Sequence, residues 1–89
     1  MKNTIHTIIE EQIPKGYIFD AHSIIQYLIQ NQSDIYLSSY KKGWTTDYYH
    51  SIISKEIAHF EDTILERVGQ SWSINIHKKF SPNVCWSKL

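Results

Sequence analysis

The sequence predicts an α+β fold that is mostly helical, with three to four helices followed by a C-terminal two-stranded antiparallel β-hairpin. Two observations support this prediction. Before Gly69, apolar residues recur every three or four positions, which is the helical period, and after Gly69 they alternate every second position, as in strands. The chain also has 89 residues, 42% of them hydrophobic, and a formal net charge of zero, which is typical of a folded domain. We therefore expect residues 1–89 to form one domain.

The first two helices flank a short β-favourable run. Isoleucines share one helical face over residues 4–13, and Pro14 cannot continue that helix. Residues 17–19 favour an extended conformation and fit one edge strand. Asp20 is suited to capping the second helix, because its carboxylate can accept hydrogen bonds from the amides of the first turn. That helix carries an apolar stripe and is expected to end at residues 31–32.

A short and a long helical segment follow. Residues 35–40 fit one or two helical turns, and residues 41–44 form a tight connection to the next helix. Thr45 or Thr46 can cap that helix, and a stripe from Tyr49 to Val68 keeps helical spacing. The spacing predicts one helix over residues 46–68, or two helices if residues 61–63 interrupt it, with Gly69 ending it.

The C-terminal segment has the period of strands. Trp72, Ile74 and Ile76 alternate with polar residues, which predicts a strand with one buried face. Residues 78–83 are expected to form a loop, and Val84 and Trp86 mark a second strand. A lone hairpin is marginally stable in water, so this one should pack on the helices.

The order of these elements, from Asp20 to Leu89, resembles the winged-helix superfamily, in which a helix-turn-helix is followed by a β-hairpin wing. The resemblance implies that residues 41–44 are the turn, that a recognition helix begins at residues 45–50, and that residues 78–83 are the wing loop. It also implies a DNA-binding, regulatory role.

The charge distribution gives this role partial support. Residues 1–70 carry a net charge of −3 and residues 71–89 carry +3, although the predicted helix over residues 45–68 is itself acidic. Lysines beside the first turns of that helix and in the wing loop could contact phosphates. The candidate nucleic-acid-binding residues are Lys41, Lys42, Thr45, Thr46, Tyr48, Lys55, Lys78 and Lys79.

The alternative is a protein–protein interaction or assembly module, either a homodimer or an accessory subunit, that binds no nucleic acid. Tyrosine and tryptophan are over-represented among the residues that dominate binding energy at interfaces. The candidate interface residues are Tyr36, Tyr40, Trp44 and Trp72. The same rings could instead fill a small core, and Trp44, in a polar turn, must either cover the core or meet a partner.

The sequence carries no motif for catalysis, a metal or a cofactor. The five histidines are scattered, none has the spacing of a helical zinc site, and the single cysteine, Cys85, lies within a predicted strand. We therefore expect a non-enzymatic protein with no catalytic residues, no metal and no cofactor. No apolar run exceeds three residues and no signal peptide is visible, so we expect a cytoplasmic protein that does not enter membranes.

Overall fold

The structure of the protein is a computed structural model that describes residues 1–89. It is α+β, as predicted, with four helices and one three-stranded antiparallel sheet, and more residues lie in helices than in strands. In chain order the elements are α1 (Lys2–Gln12), β1 (Ile18–Asp20), α2 (Ala21–Asn31), α3 (Ser33–Ser38), α4 (Thr46–Ala58), β2 (Leu65–Ile74) and β3 (Phe80–Lys88).

The sheet has the order β1-β3-β2, so it has three strands rather than the two of the predicted hairpin, and the third is β1, at the predicted edge strand. Strand β1 joins because its three residues pair with residues 85–87, with Phe19 opposite Trp86. This partner lies far away in sequence, which is why local patterning indicated an extended run but no pairing. Since β1 reaches only the end of β3, residues 70–84 extend beyond the three-stranded part, and we call them the distal hairpin.

The core is one cluster of 14 buried residues contributed by the helices and by one end of the sheet. Its largest fully buried side chains are Trp86, Tyr49, Ile5, Ile9, Leu28, Ile53, Ile57 and Leu65. The indole Nε1 of Trp86 donates a hydrogen bond to Glu61 at 2.7 Å, so the buried ring keeps a polar partner. That hydrogen bond and the contact with Arg67 outweigh the effect of burial and lower the pKa of Glu61.

Helix α4 ends at Ala58, so both predictions for residues 59–68, one helix or two, are wrong. The carbonyl of Phe60 accepts hydrogen bonds from the amides of residues 63, 64 and 65, which closes a tight turn. Asp62 adopts a positive φ of 68° within it, and β2 then begins at Leu65. Phe60 and Ile64 both pack against the core in this turn. Their spacing in the sequence therefore looks like the continuation of the apolar stripe of α4.

The strands of the hairpin are longer than predicted, and the face that packs against the rest of the protein is the opposite of the predicted one. Its connection spans only residues 75–79, with Lys78 at a φ of 62°, and β3 begins at Phe80. Gly69 does not end a helix but lies in β2 at an irregularity in the pairing, with a φ of 151°. The predicted buried face is wrong: Trp72 is 67% exposed and Ile74 is 54% exposed.

Candidate functional site

A cleft of about 490 Å³ lies between α4 and the distal hairpin, and the first turns of α2 complete its lining. Helix α4 contributes a mainly polar wall, formed by Asp47, His50, Ser51, Ser54 and Lys55. The hairpin contributes a wall with an apolar component, formed by Ile74, Ile76 and Val84. The cleft is therefore polar on its helical side and partly apolar on its strand side.

The start of α2 fixes the polar face of the hairpin. Asp20 caps α2, accepting from the Ser23 amide at 2.9 Å, as the sequence predicted, and it also accepts from the Ser71 hydroxyl at 3.0 Å. Burial alone would raise the pKa of Asp20, but hydrogen bonds from Ser23, Ser73 and Ser71 outweigh it and hold that pKa below its ordinary value. The carboxylate therefore joins a helix terminus to the hairpin.

His22 and Asn83 extend this polar contact towards the cleft. The His22 amide donates to Asn83 Oδ1 at 2.8 Å, and Nδ1 of His22 lies 2.8 Å from the Ser73 hydroxyl. The Asn83 amide group also donates to the Ser71 carbonyl and to Ser73 Oγ, both at 3.2 Å. These polar side chains of the hairpin face the start of α2. Because successive side chains of a strand point to opposite faces, the apolar residues that alternate with them are exposed.

His50 is a half-buried histidine of the cleft lining. Its Nε2 lies 2.7 Å from the hydroxyl of Tyr36. Burial, and then the proximity of Tyr40, raise the pKa of Tyr36, and the hydroxyl makes no other hydrogen bond. We therefore assign Tyr36 as the donor, which places the ring proton of His50 on Nδ1. Burial lowers the pKa of His50, so the neutral ring is favoured.

The tip of the hairpin contacts the first turn of α4. Nε2 of His77 lies 3.3 Å from Asp47 Oδ1, and both side chains are largely exposed. Asn75 organises the connection, because its Oδ1 accepts from the amides of His77 and Lys79 at 2.9 and 3.2 Å. The contact places the loop with Lys78 and Lys79 beside the start of α4.

The candidate nucleic-acid-binding residues fall into two groups. Two hydroxyls are engaged within the protein: Thr45 caps α4 by accepting from the Tyr48 amide at 3.1 Å, and Thr46 Oγ1 lies 3.0 Å from the Tyr40 hydroxyl. The other six residues are exposed, namely Lys41, Lys42, Tyr48, Lys55, Lys78 and Lys79. Lys88, which contributes to the positive charge of residues 71–89, is buried and donates to the Glu10 carbonyl at 3.0 Å.

The four candidate interface residues also differ in burial. Tyr36 is a core residue, and Tyr40 and Trp44 are half-buried against the core. The Trp44 ring lies 5.8 Å from that of the buried Tyr49, centroid to centroid, so it covers one end of the aromatic core. Trp72 is fully outside the core, and the pairing register aligns it with Pro82, next to the pair of Ile74 and Phe80.

Sequence reasoning missed the cleft and the histidines that line it. His22, His50 and His77 come from three elements that are distant in sequence, so no local spacing signals their convergence. No group of three or more histidine, cysteine, aspartate or glutamate side chains is arranged to hold a metal ion. No helix has the length and apolar character needed to span a membrane. No protein family, curated protein or solved structure shows significant similarity to the chain.

Proposed function

We propose that the protein is a winged-helix-like, non-enzymatic regulator that binds duplex DNA in the cytoplasm through α4 and the tip of the hairpin. The order of elements supports the winged-helix part of the proposal. A strand lies between the first two helices, and three helices separate that strand from the terminal hairpin. This order, together with the sheet order β1-β3-β2, fits a helix-turn-helix with a wing.

The end of α4 at Ala58 weakens the main electrostatic objection. The helix carries Asp47 and Glu56 against Lys55, so its formal charge is −1, whereas a helix extended to Val68 would carry −3. Its cleft side presents Ser51, Ser54 and Lys55, which are side chains that can donate to phosphates or base edges. Repulsion between the helix and phosphates is therefore smaller than the sequence indicated.

The contact between His77 and Asp47 carries the proposal. It brings the hairpin loop against the first turn of α4, the end of a recognition helix that usually reaches the bases. Lys78 and Lys79 lie in that loop, while Lys41 and Lys42 precede the same end of α4. Two pairs of exposed lysines thus belong to segments that adjoin the first turn of α4.

Fluorescence anisotropy with a labelled random duplex of about 20 base pairs, at about 50 mM salt, tests the proposal. We expect a dissociation constant of about 1–100 μM, which is typical of non-specific binding. The double variant Lys78→Gln, Lys79→Gln should bind several-fold more weakly and reduce the slope of log affinity against log salt by about one to two.

The matched control is Lys2→Gln, Lys15→Gln, which removes the same charge from two exposed lysines at the other end of the chain. This control should bind almost as tightly as the unmodified protein. Absence of binding at 100 μM protein, which is about the weak limit of non-specific affinity, would refute the proposal. Equal losses in both double variants would also refute it, because net charge alone would then account for the affinity.

The apolar side of the distal hairpin favours a second candidate function, assembly with another copy of this chain. Trp72, Ile74 and Phe80 are each more than half exposed. Strand β2 lies at the edge of the sheet, and residues 70–74 contain neither a charge nor a proline to protect that edge. Antiparallel pairing of two β2 edges is self-complementary, as a two-fold dimer requires.

Light scattering over a concentration series tests assembly. A dimer that Trp72→Ser dissociates, while Tyr17→Ser leaves it intact, supports it; Tyr17 is exposed to a similar extent, at 65%. A monomer at all concentrations would exclude this function, and so would a dimer unaffected by Trp72→Ser.

A further inference from the structure

We propose that the cleft between α4 and the distal hairpin binds a small organic anion, with the apolar body of the ligand against the hairpin and its carboxylate against α4. This inference is separate from the proposed DNA binding. It concerns a small molecule that binds in the cleft when no nucleic acid is present.

The shape of the cleft suits a small molecule. Its volume of about 490 Å³ lies within the range of about 300–1,000 Å³ that is usual for ligand sites. Its walls belong to separate elements that are anchored independently. Helix α4 is held by the buried residues Tyr49, Ile53 and Ile57, and the hairpin is held by its hydrogen bonds to the start of α2.

The apolar part of the lining provides a surface for the body of the ligand. Ile74 is 54% exposed and Ile76 is 38% exposed, although both line the cleft. The buried side chain of Ile25 and the half-buried Val84 continue the apolar lining inward. Covering these isoleucines with an apolar ligand removes hydrocarbon from water, which is favourable in proportion to the area covered.

The polar part of the lining favours an anion. It contains two cationic side chains, Lys55 and Arg67, and three histidines. Asp47 is the one carboxylate among the lining residues, and it already contacts His77. Arg67 is partly neutralised by Glu61, which lies outside the lining, so Lys55 is the cation without a partner.

His50 adds a neutral donor to the same lining. Its Nε2 is occupied by Tyr36, which leaves the proton on Nδ1 for an acceptor. A carboxylate accepts several hydrogen bonds, so it can bind a neutral imidazole donor and an ammonium group together. A metal cation does not fit the same donors, because no three ligating side chains are suitably arranged.

NMR titration of the ¹⁵N-labelled protein, without nucleic acid, tests the inference with naphthalene-2-carboxylate as the probe. The neutral amide of the same ring system, naphthalene-2-carboxamide, is the matched ligand. We expect saturable shifts at Ser54, Lys55 and Ile74, and a carboxylate affinity about three- to five-fold above that of the amide, the effect of one exposed ion pair.

Lys55→Gln should abolish the preference for the carboxylate, whereas Lys15→Gln, at an exposed lysine outside the cleft, should preserve it. Equal affinities for the two ligands would overturn the inference, and so would shifts outside the cleft lining. The inference would also be overturned if the shifts did not saturate at about 5 mM naphthalene-2-carboxylate, because the affinity would then be weaker than millimolar. Since no DNA is present, failure here leaves the proposal for nucleic-acid binding intact.

Discussion

The helical body and the distal hairpin use the same kind of apolar residues in opposite ways. In the helices, the periodic isoleucines are buried, and Ile5, Ile9 and Ile53 are fully inaccessible. In the hairpin, Trp72 and Ile74 follow the strand period equally well, yet both are mostly exposed. Periodicity identifies the type of element, whereas the partner that packs against the element determines which face is buried.

The partner of the distal hairpin is polar. The first turn of α2 presents a carboxylate, Asp20, and a backbone amide, that of His22, and both bind side chains of the polar face of the hairpin. A hydrophobic partner would have selected the opposite face. The difference leaves an apolar face free for a ligand or a second protein chain.

The largest expected effect is a difference in stability between a tryptophan substitution in the core and one in the distal hairpin. Trp86→Ala removes a fully buried ring and its hydrogen bond to Glu61, so it should lower the free energy of unfolding by about 3–5 kcal/mol. Trp72→Ala should change it by less than about 0.5 kcal/mol, because that ring lies outside the core. Urea denaturation followed by circular dichroism, at low protein concentration, measures both.

If Trp86→Ala and Trp72→Ala lowered the free energy of unfolding by similar amounts, the contrast between the two regions would be wrong, because the ring of Trp72 would then be buried in solution. Trp86→Phe sharpens the result if Trp86→Ala fails to fold. It keeps an aromatic ring in the core and removes the indole N–H that bonds Glu61, so the loss should be smaller than for alanine.

The sequence predicted the local parts of the fold because their causes are local. Asp20 and Thr45 cap their helices as expected, since the amides that they accept from lie three residues further on. The end of α4 was not predictable in this way. Ile64 and Val68 continue the helical spacing, and neither glycine nor proline marks the turn at residues 59–64.

The candidate site divides along the same line. Exposed lysines beside turns are visible in a sequence, so Lys41 and Lys78 could be identified from their neighbours alone. The cleft depends on tertiary packing, because His22, His50 and His77 belong to three different elements. Their convergence follows from the way the hairpin folds back towards α2 and α4, and no residue spacing encodes that.

The second expected effect concerns the link between the two regions. Asp20→Ala removes the cap of α2 and the acceptor for Ser71, and the lost cap alone should cost about 1–2 kcal/mol of unfolding free energy. Asp34→Ala is the control, because Asp34 is exposed in the first turn of α3 and makes no side-chain hydrogen bond. Urea denaturation of both variants measures the difference.

Amide hydrogen exchange adds a regional measurement to this variant. Protection of residues 70–74 should fall more than protection of α1, since the Asp20 carboxylate joins the hairpin to α2 and accepts no hydrogen bond from α1. Equal loss in the two regions would show that Asp20 stabilises only its own helix, and the hairpin would then be held by other contacts.

The smallest expected effect is a pH dependence that originates where the two regions meet. Burial lowers the pKa of His50, so below its ordinary value of about 6.5 the unfolded chain binds a proton that the folded protein does not. The free energy of unfolding should therefore fall as the pH is lowered through about 6.5, until the lowered pKa of the folded state is reached.

His50→Gln, which can still accept from Tyr36, should flatten this dependence in urea denaturation series between about pH 7.5 and 5. His59→Gln is the matched control, because His59 is exposed at the C-terminal end of the same helix. If His50→Gln and His59→Gln reduced the slope equally, the packing of His50 against Tyr36 would not be its source.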